Sequence, residues 1–137
     1  MRKEEEAMKG KVATAIAIGL ALALVMGAFV SASAQVARED LKALCEEGYN
    51  NAKATRDIVE KAIANVEKEI TPDSSELKVH ELEDAKFWFK KADDLFKKCE
   101  EKLKKGEYSK QLSIDLNQAW QWFIKAGSAA VRASMQE

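Results

Sequence analysis

Cys45 and Cys99 are the two cysteines of this 137-residue chain, and thiols can form a disulfide, bind a metal ion or act as nucleophiles. Their spacing lacks C-x-x-C and C-x-x-C-H motifs, so it indicates neither a thiol oxidoreductase nor a metal ribbon or covalent haem. In a helical hairpin that turns near residue 72, the numbers of facing residues add up to about 144, which this pair satisfies. We therefore predict a Cys45–Cys99 disulfide, which would contribute roughly 4 kcal/mol in the chain-entropy model. The alternative is a pair of free buried thiols.

His80 is the only histidine, and Met135 is the only methionine beyond residue 34. Hairpin geometry brings their positions to within about one helical turn of each other, so a haem held by this pair is one interpretation. A di-iron carboxylate site requires Glu-x-x-His motifs, which the sequence lacks. Glu76, Glu83 and Asp84 share a helix face with His80, a pattern more typical of a solvated acidic surface than of a metal site. We predict no catalytic residue, cofactor or metal ion.

Aromatic residues are concentrated in two short stretches, which comprise Phe87, Trp88 and Phe89, and Trp120, Trp122 and Phe123. Each stretch covers about 200° of a helix, more than the single stripe that a three-helix bundle buries. We expect Phe89 to face Phe123 in the core. Phe87, Trp88 and Trp122 are then predicted to form an outward surface for a protein partner, self-association or a membrane surface. In the alternative interpretation, all these rings belong to the core.

Three helices have to position these side chains. Apolar and small residues recur at steps of three and four residues over 36–70, 73–105 and 107–135. The single proline, Pro72, marks the first break, and Gly106 suits the left-handed position after the second helix. The chain has too few turn residues for a β-sandwich. We predict an all-α, antiparallel up-down-up bundle of three long helices, in which Trp120 faces Ala92.

The N-terminal 34 residues have the features of an export signal. Residues 12–30 carry no charge and follow Lys9 and Lys11, and Ala32-x-Ala34 precedes Gln35 as signal peptidase requires. We predict a signal peptide over 1–34 and a three-helix domain over 35–137. The alternative is an uncleaved anchor, because 19 helical residues span about 28 Å. In both cases the domain is predicted to be extracytoplasmic: secreted, periplasmic or at the cell surface.

Charges in residues 35–137 are nearly balanced, with 18 basic and 20 acidic side chains. This balance argues against nucleic-acid binding, and it limits predicted membrane contact to residues 12–30 if they are retained. We expect an exported, non-catalytic structural or protein-interaction subunit at the cell envelope or outside the cell. The alternatives are a membrane-anchored accessory subunit of a membrane complex and a bundle that carries haem or a metal ion.

Overall fold

The computed structural model describes residues 38–137, which form three α-helices and no β-strand. Helix α1 spans Arg38–Glu69, α2 spans Glu76–Lys104 and α3 spans Lys110–Ser134. The all-α prediction is therefore confirmed for this part of the chain. The predicted signal or anchor, with its cleavage residues Ala32, Ala34 and Gln35, lies outside the described residues. None of the described helices is both long enough and apolar enough to span a membrane.

Helix α2 begins three residues later than the sequence pattern predicts, because Ser74 and Ser75 each accept a hydrogen bond from a backbone amide and so define a turn and then a helix cap. The Ser74 hydroxyl accepts a hydrogen bond from the Thr71 amide at 2.8 Å, which holds residues 71–74 in a turn. Ser75 then caps α2 by accepting a hydrogen bond from the Lys78 amide at 3.1 Å. A serine at this position satisfies an otherwise unpaired donor of the first helical turn.

Gly106 ends α2 as predicted. Its φ of 69° lies in the left-handed region that glycine adopts without strain. The Gly106 amide donates to the Leu103 carbonyl and the Glu107 amide donates to the Lys102 carbonyl, each at 3.0 Å. These two hydrogen bonds form a Schellman motif. Helix α3 starts later than predicted, after Ser109, whose hydroxyl caps it.

Contacts between the helices establish their directions. Tyr49 and Arg56 of α1 bond to Glu100 and Asp93 of α2, so residue numbers rise along one helix as they fall along the other. Helices α1 and α3 are parallel, since Cys45 contacts Ser109 and Thr55 contacts Trp120. Helix α3 packs extensively against both other helices, whereas α1 and α2 meet over fewer residues.

The core consists of two clusters along the helix axes. The cluster near the α2–α3 turn contains the largest side chains, among them Phe96, Leu112, Leu116 and Phe123. The cluster near the α1–α2 turn combines branched aliphatic residues with five alanines: Val59, Ile63, Val66, Leu82, Ala85, Ala126, Ala129, Ala130 and Ala133. These small residues let the helices approach closely, and a Cβ added at Gly127 would lie 3.0 Å from Val59 Cγ2.

Trp120 differs from its predicted position. Ala92 is fully buried as expected, but Trp120 is only half-buried and lies between α1 and α3. Its indole N–H donates a 2.9 Å hydrogen bond to the Thr55 hydroxyl. Tryptophan has a polar N–H that requires a partner, and α1 supplies that partner at the edge of the core. Phe89 and Phe123 do meet as predicted, with ring centroids 5.4 Å apart.

Candidate functional site

Three aromatic side chains predicted to face outward lie together across the contact between α2 and α3. Trp88 and Trp122 have ring centroids 6.4 Å apart, and Phe87 packs edge-on against Trp88 at 5.3 Å. We call Phe87, Trp88 and Trp122 the aromatic cluster. Positions 88 and 122 come to the same level because α2 and α3 are antiparallel around the Gly106 turn.

Two lysines cover the indole rings of the aromatic cluster. Lys91 Nζ lies 5.1 Å from the Trp88 centroid and 4.6 Å from that of Trp122, and Lys125 Nζ lies 4.1 Å from the Trp88 centroid. The faces of indole rings carry negative partial charge, so each ammonium is attracted to them. The surface therefore combines apolar rings with two positive charges.

Burial differs within the aromatic cluster. Trp88 and Trp122 are half-buried and pack against the core, whereas Phe87 is 59% exposed. The indoles therefore close the contact between α2 and α3 while remaining partly exposed. The Phe87 ring contacts Trp88 and presents most of its surface to solvent. The arrangement lies between the two sequence-based interpretations, and Phe87 is its most outward member.

The two cysteines are both buried in the core cluster near the α2–α3 turn, but they are free thiols. The predicted disulfide is therefore not formed in this structure. The Cys45 thiol donates instead to the Ser109 carbonyl oxygen, 3.5 Å away. The hairpin geometry correctly places both residues in one part of the core, whereas the direction of each thiol depends on its side-chain rotamer, which helix spacing does not define.

Burial makes both thiols weak acids. Desolvation raises the pKa of Cys45, partly offset by its hydrogen bond to Ser109. Desolvation also raises the pKa of Cys99 to about 11, with smaller contributions from Asp115 and Cys45. Because the thiolate is the reactive form, neither cysteine has the character of a nucleophile at neutral pH.

The residues considered for haem or metal binding are exposed. His80 lies on the surface of α2, and Met135 at the end of α3 is 75% exposed. Neither side chain enters the core, where an axial haem ligand would have to lie. Within residues 38–137, histidine, cysteine and acidic side chains nowhere gather in a group of three that could hold a metal ion.

A cavity of about 240 Å³, which no sequence pattern predicted, lies between α1 and the end of α2. Its lining comprises Glu46, Tyr49, Glu100, Leu103, Lys104 and Tyr108. The Tyr49 hydroxyl donates a 2.5 Å hydrogen bond to Glu100, which raises the pKa of Tyr49 to about 12 and lowers that of Glu100. This bond joins α1 to α2 across the cavity wall.

A partly buried ion pair is the second feature that no sequence pattern predicted. Arg56 Nε donates to Asp93 Oδ1 at 2.7 Å, and Lys97 lies 3.0 Å from the other carboxylate oxygen. Burial alone would raise the pKa of Asp93, but hydrogen bonds from Arg56 and Lys97 outweigh it and hold this pKa below its usual range. The sequence does hold a sign of this pair, because the acidic Asp93 stands between the apolar core positions Ala92 and Phe96, on the side of α2 that faces α1.

Comparison with known protein families, curated proteins and solved structures found no match to this chain.

Proposed function

We propose that the chain is exported and that its helical bundle is a non-catalytic subunit that binds a protein partner through the aromatic cluster. The observation that carries this proposal is the 59% exposure of Phe87 beside two half-buried tryptophans. Large aromatic side chains dominate the binding energy of many protein interfaces, particularly where part of the ring is already held rigidly.

The charges around the aromatic cluster favour one class of partner. Lys91 and Lys125 place two ammonium groups over the tryptophans. A complementary partner would insert an apolar side chain beside Phe87 and present carboxylates to the two lysines. Such pairs at the edge of an interface contribute more to orientation and association rate than to affinity.

Site-specific photo-crosslinking in the producing cells tests this proposal. A benzophenone amino acid at position 87 should give one discrete adduct with a different protein, and the same group at exposed Ala64 of α1 should not. Adding Lys91→Glu and Lys125→Glu should remove the adduct at position 87, because the carboxylates of the partner would then be repelled. The proposal fails if both positions give the same adducts, or if the charge reversal changes nothing.

Export and the disulfide form the second part of the proposal. The uncharged segment 12–30 and the Ala32-x-Ala34 sequence support cleavage before Gln35. Cys45 and Cys99 lie in one core cluster on neighbouring helices, which supports their pairing in an oxidising compartment. A mature chain that starts at Gln35 and gains about 2 Da on reduction is the expected result. A chain that keeps residues 12–30 and requires detergent would instead support the membrane-anchored accessory subunit.

A further inference from the structure

A second surface, between α1 and α3, differs from the rest of the bundle in its lack of charge. One third of all residues in the chain are charged. Twelve solvent-facing residues along the middle of this contact are uncharged and are either exposed or half-buried, and Lys61, three residues after Ile58, lies at their edge. We call these twelve the uncharged face: Asn51, Ala54, Thr55, Ile58, Ala62 and Asn65 on α1, and Asn117, Trp120, Gln121, Ile124, Ser128 and Val131 on α3.

Contacts recorded between α1 and α3 bring these residues to one side of the molecule. The Trp120–Thr55 hydrogen bond marks the middle of the contact. Ile58 lies about one turn beyond Thr55, and Ile124 lies about one turn beyond Trp120. Because α1 and α3 are parallel, the two isoleucines reach the same level of the bundle.

Three charged residues of these helices are directed towards α2 instead. Between residues 111 and 131, α3 carries only Asp115 and Lys125. The negative charge of Asp115 is close enough to Cys99 of α2 to raise the pKa of its thiol, and the Lys125 ammonium lies over the Trp88 ring of α2. Both residues therefore lie on the side of α3 that faces α2. On α1, Arg56 likewise turns to α2, where it binds Asp93. The uncharged face is therefore not a by-product of a low overall charge.

Apolar exposure on this face is substantial. Ile58 is 69% exposed, Ile124 is 45% exposed and Val131 is 57% exposed. Residues 51–65 span about 21 Å of α1, and two helices are about 20 Å wide, so each copy would bury roughly 400–600 Å². A pair would bury about 1,000 Å² in total, which is the lower limit for a specific interface and is typical of weak association.

The chemistry of the face favours a second copy of this chain as its occupant. In a two-fold contact the same surface appears on both sides, so each group must be complementary to the same set of groups. Charged groups of one sign repel in such a contact, whereas the carboxamides of Asn51, Asn65, Asn117 and Gln121 both donate and accept hydrogen bonds. A charged partner would find no counter-charge among these residues, whereas Lys91 and Lys125 beside the aromatic cluster offer one.

We propose that this protein forms a two-fold symmetric dimer through the uncharged face. This contact is separate from the aromatic cluster, so the dimer leaves that cluster available to another partner.

Sedimentation velocity on the full chain, as it is recovered from producing cells, tests the dimer between about 1 and 100 µM. The wild-type protein should change from monomer to dimer over this range. Ile58→Lys with Ile124→Lys should remain monomeric, and so should Ile58→Glu with Ile124→Glu, because each places like charges in contact. The matched control Phe87→Lys changes an equally exposed apolar residue of the aromatic cluster and should still dimerise.

Mixing the two double variants separates lost association from lost folding. Lysines on one copy and glutamates on the other are complementary, so an equimolar mixture should form a heterodimer although neither variant dimerises alone. A wild-type protein that stays monomeric at the highest concentration would overturn the proposal. So would dimers that persist in both double variants, dimers lost in Phe87→Lys, or a mixture that stays monomeric.

Discussion

The same substitution, phenylalanine to alanine, can be made at a buried position, Phe123, and at an exposed one, Phe87, and we expect very different losses of stability. Phe123 is 0% exposed, and its ring contacts Phe89 and Phe96 at centroid distances of 5.4 and 5.9 Å. Truncation of a fully buried phenylalanine costs about 3–5 kcal/mol, through lost burial and the cavity that remains. Phe87 is 59% exposed and loses mainly its edge-on contact with Trp88, which is worth about 1 kcal/mol.

The loss of stability expected for Phe123→Ala is large relative to the free energy of unfolding of the whole domain. A domain of this size has a free energy of unfolding of about 5–15 kcal/mol, so Phe123→Ala should remove about a fifth or more of it. At about 4–8 °C per kcal/mol, the midpoint of thermal unfolding should fall by roughly 12–40 °C for Phe123→Ala and by less than about 8 °C for Phe87→Ala.

Urea unfolding followed by far-UV circular dichroism measures both variants against the wild-type chain. Equal losses of stability in the two variants would refute the reasoning, because Phe87 would then belong to the core in solution. It would also remove the basis for a docking role of the aromatic cluster. A loss below about 1 kcal/mol for Phe123→Ala would refute the assigned core itself.

Three further outcomes are expected. The hydrogen bond from Arg56 helps to lower the pKa of Asp93. The ion pair's contribution to the free energy of unfolding is therefore complete above about pH 4, and it is lost as the pH falls through the pKa of Asp93 in the folded protein. Asp93→Asn should therefore flatten the acid limb of a stability profile measured by urea unfolding; an unchanged acid limb would contradict this. Gly106→Ala meets no atom within 4 Å but places alanine at a φ of 69°, so thermal unfolding should show a loss of about 1–2 kcal/mol, and no loss would contradict the assigned turn. Trp120→Phe deletes the hydrogen bond to Thr55 and should cost about 1 kcal/mol in urea unfolding, whereas Thr55→Val should add little to that variant if the bond is made in solution.

Several features follow from the sequence because they depend on local geometry. Steps of three and four residues between apolar positions predict three helices, since side chains at that spacing share one face. Gly106 marks the end of α2 because only glycine adopts a φ of 69° without strain. The meeting of Phe89 with Phe123 follows from counting residues away from a tight turn between antiparallel helices.

Other features required the three helices together. Spacing places a residue on its own helix, but how far that helix is rotated against its neighbours depends on the shapes and volumes that fill the core. That rotation brings the Trp120 indole to Thr55 rather than into the core, and it buries Asp93 where Arg56 can reach it.

The sequence by itself determined the helical class, the helix lengths to within a few residues and the levels at which facing residues meet. Only the tertiary structure decided the direction of the Cys45 thiol, the outward position of Phe87 and the grouping of uncharged residues along α1 and α3. The physical reason is that periodicity is a property of one helix, whereas exposure and partner choice depend on how three helices pack against one another.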